Sequence, residues 1–242
     1  MNGSTRIAAF RDDGRHRSML LAAIAVASIM LWQTTIGSSV LYPFTILSTW
    51  FHEMGHGLAA VLAGRGFDQL VIFGDGSGYA ITTRPGDGSR LIDAFVSASG
   101  PMGPAVAGSA LILSSRTGRA TNAALTALGL ALIVSTIVWV RSTAGWLVLP
   151  AAGLSVLGLS LYAGDAIKRF AIQLLGVQAC ISVWRQFDYL FSAGGSIGGR
   201  TARSDTSAIA DALLLPYWFW GGTISVAIVA LLWFSISRSM RR

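Results

Sequence analysis

The 242-residue chain contains one cysteine, one glutamate, one lysine and three histidines. A single Cys180 excludes an intrachain disulfide framework, and it excludes any zinc site built on two or more thiolates. Charged residues make up 12% of the chain, about half the roughly 25% of soluble domains. That scarcity excludes a disordered polymer. With 53% apolar residues and a mean hydropathy of +0.60, it also argues against a water-soluble globule, which could not hide so much apolar surface. The class that remains is an integral membrane protein. The net charge of +7 comes from basic residues scattered between apolar runs, a pattern that suits loops facing anionic lipid and not nucleic acid.

The apolar runs define the organisation. Residues 1–17 form a basic tail with Arg6, Arg11, Arg15 and Arg17. Residues 18–37 carry no charge, enough for roughly 30 Å of helix. Pro43 opens a second helix that ends at Gly64. Further apolar runs lie at about 91–114, 122–140, 144–162, 169–191 and 217–236, and residues 237–242 form a short basic tail. Gly100-Pro101-Met102-Gly103-Pro104 is expected to break or kink the third run. Residues 65–90 differ in kind: two short β-type runs, 67–73 and 78–84, flank Asp75-Gly76-Ser77 and read as a hairpin. Gly194 to Gly199 reads as a flexible loop, and Ser204-Asp205 as the N-cap of a short helix ending before Pro216. The fold class is therefore an all-α polytopic membrane protein, with six or seven spans in one domain (18–236) and a small hairpin between helices 2 and 3. The four arginines of the tail place the N-terminus in the cytoplasm. Abundant Ala, Gly and Arg with one Lys suggest a bacterial cell (inner) membrane.

The second helix carries His52-Glu53-Met54-Gly55-His56. Histidines at i and i+4 share one helix face, so both imidazoles can reach one metal ion. The glutamate beside the first can then take a proton from a water at that ion. Glu53 is the only glutamate in the chain, and His16 is the only other histidine. Random placement would produce this spacing in roughly one case in ten thousand. Placing such groups in a membrane helix costs on the order of 2–3 kcal/mol for each charge, so they mark a site.

His52-Glu53-Met54-Gly55-His56 in a membrane helix, followed by a Gly-rich hairpin and then Ser99 to Gly108, resembles the site-2-protease clan of intramembrane zinc metallopeptidases, in its M50B-like branch, over roughly residues 44–220. The resemblance implies Zn2+, a membrane-protein substrate, and peptide-bond hydrolysis in or near the bilayer. It assigns His52 and His56 as ligands, Glu53 as the catalytic base, and Gly100, Pro101 and Gly103 as substrate-binding residues. Pro104 stands near the place where better-known members have Asn, and neither a Leu-Asp-Gly motif nor a PDZ-like insertion is present.

Catalytic zinc usually takes three protein ligands, so the third must come from the chain's ten aspartates. Asp188, at the end of an apolar helix, is the first candidate; its plainer reading is an i, i+3 pair with Arg185. Asp205 is the alternative, with a plainer reading as a first-turn acid. Asp165 reads as a solvated loop charge and Cys180 as packed. Tyr217 to Trp220 reads as an interfacial aromatic belt. A hairpin edge at 67–73 or 78–84 could pair with an unwound substrate segment. Two rival functions stand beside the peptidase: an inactive zinc-binding pseudo-protease that holds a membrane partner, and an ion-coupled transporter.

Overall fold

The computed structural model describes residues 19–83, 86, 89–185 and 187–240. Residues 1–18, Arg84, Pro85, Asp87, Gly88, Gln186, Arg241 and Arg242 lie outside the described residues. The order is α1 (Met19–Trp32), α2 (Thr35–Val40), α3 (Tyr42–Leu62), β1 (Gly66–Ile72), β2 (Gly78–Thr83), α4 (Arg90–Ser114), α5 (Gly118–Val138), α6 (Thr143–Tyr162), α7 (Asp165–Arg185), α8 (Phe187–Leu190), β3 (Gly194–Ile197), β4 (Arg200–Arg203), α9 (Asp205–Leu213) and α10 (Tyr217–Met240). The fold is mostly helical and of polytopic membrane type.

Among the described residues, four helices (α4, α5, α6 and α10) are long and apolar enough to cross a membrane. α3 and α7 have similar length, but α3 carries His52, Glu53 and His56, and α7 carries Asp165, Lys168, Arg169 and Arg185. α10 illustrates the lipid-facing type: only 22% of its spanning window is buried, and Val226, Val229 and Trp233 are exposed.

Four local expectations change. The run 18–37 is two helices, because Thr34 stops the first and caps the second by accepting from the Gly37 amide. The run 169–191 likewise divides into α7, which starts earlier at Asp165, and the four-residue α8. Of the expected break or kink in α4, the break does not occur: the helix continues through Pro101 and Pro104, since inside a bundle neighbouring helices support a proline-containing helix. Gly194 to Gly199 is no loose loop: β3 and β4 pair antiparallel from Gly194↔Arg203 to Ile197↔Arg200. The two-residue turn works because Gly198 and Gly199 both take positive φ, +56° and +77°, which is the demand of a tight primed hairpin turn.

α3 ends in a Schellman motif. Gly64 lies at φ +77°, its amide donates to Val61, and the Arg65 amide donates back to Ala60 at 2.9 Å. Arg65 then pairs with Asp93 of α4 at 2.8 Å. The first hairpin leaves this point and folds back along α3. Tyr42 donates to the Gly74 carbonyl at 2.9 Å, and Thr49, two turns further along, donates to that of Gly76. Its turn is closed by Asp75, which accepts from both the hydroxyl and the amide of Ser77; these two bonds hold the Asp75 carboxyl below its ordinary range.

β1 is the inner strand. The Leu70 amide donates to the Trp139 carbonyl at 2.8 Å, and the Arg141 amide donates to the Leu70 carbonyl at 2.9 Å. Leu70 is fully buried, in the main core shared by α3 to α7 and β1. A second apolar cluster joins α4, α8, α9 and α10.

Candidate metal centre

α3 brings His52, Glu53 and His56 to the floor of a cavity of about 440 Å³. His52 and Glu53 are 7% and 6% exposed. The walls come from β2 on one side and from Tyr189, β3, β4 and Asp205 on the other.

The carboxylate that meets the histidines is Asp205. Its Oδ2 lies 3.0 Å from His52 Nε2 and its Oδ1 3.2 Å from His56 Nε2. Asp188 is exposed in α8 and stands outside this cluster, which overturns the expectation that it would join the histidines. The side chain of Arg185, its alternative partner, lies outside the description. The reason for the exchange is local geometry. A four-residue α8 turns Asp188 away from the cavity and Tyr189 into its wall. Asp205 starts α9 directly after the β3–β4 hairpin, with Ser204 as N-cap accepting from the Ser207 amide at 3.2 Å.

The donor set fits a metal ion. The candidate ligand atoms of His52, His56 and Asp205 lie within 4.8 Å of one another. A tetrahedral zinc with bonds near 2.0–2.1 Å separates its ligand atoms by about 3.3 Å, close to the two N···O distances above. His56 Nδ1 sits 2.8 Å from the Val96 carbonyl of α4. A carbonyl only accepts, so Nδ1 carries a proton; without a metal Nε2–H also donates to Asp205, and a bound metal ion would take the place of that second proton. Such a partner fixes both tautomer and ring orientation. Burial alone would raise the Asp205 carboxyl; the charge of His56 and hydrogen bonds from both histidines outweigh it and hold the group well below the carboxylate range. Tyr189 moves the other way: burial first, then the charges of Asp205 and Glu53, push its phenol up, so it stays protonated at neutral pH.

Gly100, Pro101 and Gly103 do not line the cavity. They pack α4 against α3 behind the histidines. A methyl group on Gly100 would overlap His56 Nε2 and come within 2.8 Å of His52 Nε2, and one on Gly103 would overlap the Phe51 carbonyl. The stretch is a spacer that lets α4 touch the imidazoles.

Glu53 faces β2. Because Leu70 spends both its backbone groups on residues 139–141, its pairing with Ala80 is of the non-hydrogen-bonded type. Ala80 and its neighbours two away, Gly78 and Thr82, therefore turn their amides and carbonyls away from β1. All three line the cavity that holds Glu53, and a methyl group on Gly78 would come within 3.4 Å of the Glu53 Cγ. Gly78 is required at this approach: a side chain there would meet the Thr49 methyl at 2.6 Å and the Val71 carbonyl at 2.8 Å.

Fold and site together define a multi-pass membrane protein with a buried His-His-Asp group able to hold a metal. The chain belongs to the Peptidase M50B-like family, which matches residues 21–235. No curated protein and no solved structure matches it.

Proposed function

We propose that the protein is a zinc metallopeptidase that hydrolyses peptide bonds of membrane-embedded proteins, with His52, His56 and Asp205 as ligands and Glu53 as base. The observation that carries this reading is one arrangement. Asp205 faces both imidazole Nε2 atoms, while Glu53 lies between them and an open strand edge. Zinc in this donor set would polarise both a water molecule and the scissile carbonyl. Glu53 takes the proton from that water and delivers it to the leaving amine. The outward edge of β2 at Gly78, Ala80 and Thr82 holds an unwound substrate segment as an added strand, which exposes a carbonyl that a helix would keep hydrogen-bonded. The basic tail supports a cytoplasmic N-terminus in a bacterial inner membrane, with the site reached from the cytoplasmic side.

The test uses the detergent-purified full chain and a reconstituted transmembrane model substrate. About one zinc per chain, lost in His56→Ala and Asp205→Ala, together with cleavage lost in Glu53→Gln while zinc is kept, is the expected result. Zinc without cleavage by wild type in any substrate tried would favour a pseudo-protease. Absence of zinc after reconstitution would leave the histidines as a buried polar network and favour ion transport.

A further inference from the structure

Asp205 occupies the first turn of α9, directly after the β3–β4 hairpin. The side chain that ties this strand-to-helix turn down is Tyr189. Its hydroxyl donates to the Arg203 carbonyl at 3.1 Å, two residues before Asp205. Ser204 itself is buried and tied at its own position: its amide reaches the Ala193 carbonyl at 3.4 Å, and its hydroxyl the Ser192 carbonyl at 2.6 Å. A methyl group on Gly195 of β3 would lie 3.3 Å from the Tyr189 ring, and Tyr189 lines the cavity beside the histidines.

We propose that Tyr189 is a positioning residue of the metal centre: its hydroxyl fixes residues 203–205 so that the Asp205 carboxylate stays aimed at His52 and His56. The inference rests on the reading of those three residues as zinc ligands. Tyr189 acts through Asp205 and not on the metal directly. Outer-shell partners of this kind set ligand aim and affinity.

The experiment is a zinc titration of the full chain against a competing chelator, for wild type, Tyr189→Phe and Ser192→Ala. Phenylalanine keeps the ring against Gly195 and removes only the hydroxyl. Ser192→Ala removes the bonds of the Ser192 hydroxyl to Tyr189 and Gly194 carbonyls in the same loop while leaving residues 203–205 untouched. Tyr189→Phe is expected to keep one zinc site and weaken its affinity about 10- to 100-fold, with Ser192→Ala close to wild type. Co2+ loaded in place of zinc should show altered visible absorption in Tyr189→Phe only, since that band reports ligand geometry. As a second variant, Tyr189→Leu removes ring and hydroxyl together; zinc binding should weaken at least as much as in Tyr189→Phe. Wild-type affinity in both Tyr189 variants, or an equal loss in Ser192→Ala, overturns the proposal while leaving the ligand assignment standing. No zinc on wild type overturns both.

Discussion

α3 and α4 meet through Gly55, Gly100 and Gly103, and α5 and α6 meet through Gly129 and Gly153. In both crossings an added methyl would strike backbone of the facing helix: Gly55 against the Ser99 carbonyl, Gly129 against that of Gly153 at 2.9 Å. Small residues allow this close approach, the usual way membrane helices gain packing energy. The difference lies in what stands beside the glycines. At α5–α6 the neighbours are Leu132, Ile133 and Leu157, and the contact serves only to hold two spans together. At α3–α4 the neighbours are the two imidazoles, and the Val96 carbonyl one turn before Gly100 accepts from His56. The same packing device therefore positions chemistry in one place and only structure in the other.

The largest effects fall on the acidic groups around the α3 site. Glu53→Gln should lower cleavage about 10²- to 10⁴-fold, the range for a removed general base, with zinc stoichiometry unchanged by metal analysis. Full activity in that variant would remove Glu53 from the mechanism. Asp205→Ala should weaken zinc more than about a hundredfold, beyond what an outer-shell loss produces, measured by chelator competition.

Gly100→Ala comes next. The methyl would collide with both Nε2 atoms, so the rings must turn away from Asp205. Zinc affinity and activity should fall together, while the melting temperature falls only by the few degrees that overpacking at one site brings. A variant that loses stability but binds zinc normally would make Gly100 an ordinary packing glycine like Gly129.

Much of this site was legible in the chain because its signals are local. The pair His52/His56 declares itself by i, i+4 spacing, and Glu53 by being the sole glutamate. The first hairpin and the Ser204 cap follow from turn and cap chemistry over a few residues. What was not legible depends on contacts between distant segments. The expense of an acid at the end of an apolar run favoured Asp188, but α7 stops before it and α8 exposes it. Asp205 looked like an ordinary first-turn acid, which it also is; its second role needs α9 to start against α3, some 150 positions away. The glycines of 194–199 suggested looseness, yet two of them at positive φ are what close the β3–β4 turn. Pairing of β1 with residues 139–141, which turns the β2 edge toward Glu53, has no marker in the local pattern.

Gly129→Ala perturbs the α5–α6 crossing alone. The added methyl would lie 2.6 Å from Leu157 and 2.9 Å from the Gly153 carbonyl, so the α5–α6 pair must spread. Overpacking of this kind costs about 1–3 kcal/mol, to be read as a lower melting temperature. Zinc affinity should stay within twofold of wild type, because no residue of this crossing touches the histidines. A loss of zinc affinity here would mean that strain passes from α5–α6 through the shared core to α3.

The smallest effect belongs to Asp188→Asn. Asp188 is exposed on α8, next to the residue that does enter the cavity. Exposed substitutions away from special features stay within about 0.5 kcal/mol, and zinc affinity should not move. Paired with Asp205→Asn, this variant separates two first-turn aspartates, one exposed on α8 and one facing the histidines from α9. Asp205→Asn keeps size and one carbonyl oxygen but removes the charge that both imidazoles face, so it should bind zinc weakly. If the order were reversed, with Asp188→Asn losing the metal and Asp205→Asn keeping it, the contact between Asp205 and the histidines would be an ion pair of the resting fold, and the third ligand would have to reach the site by a rearrangement of α8.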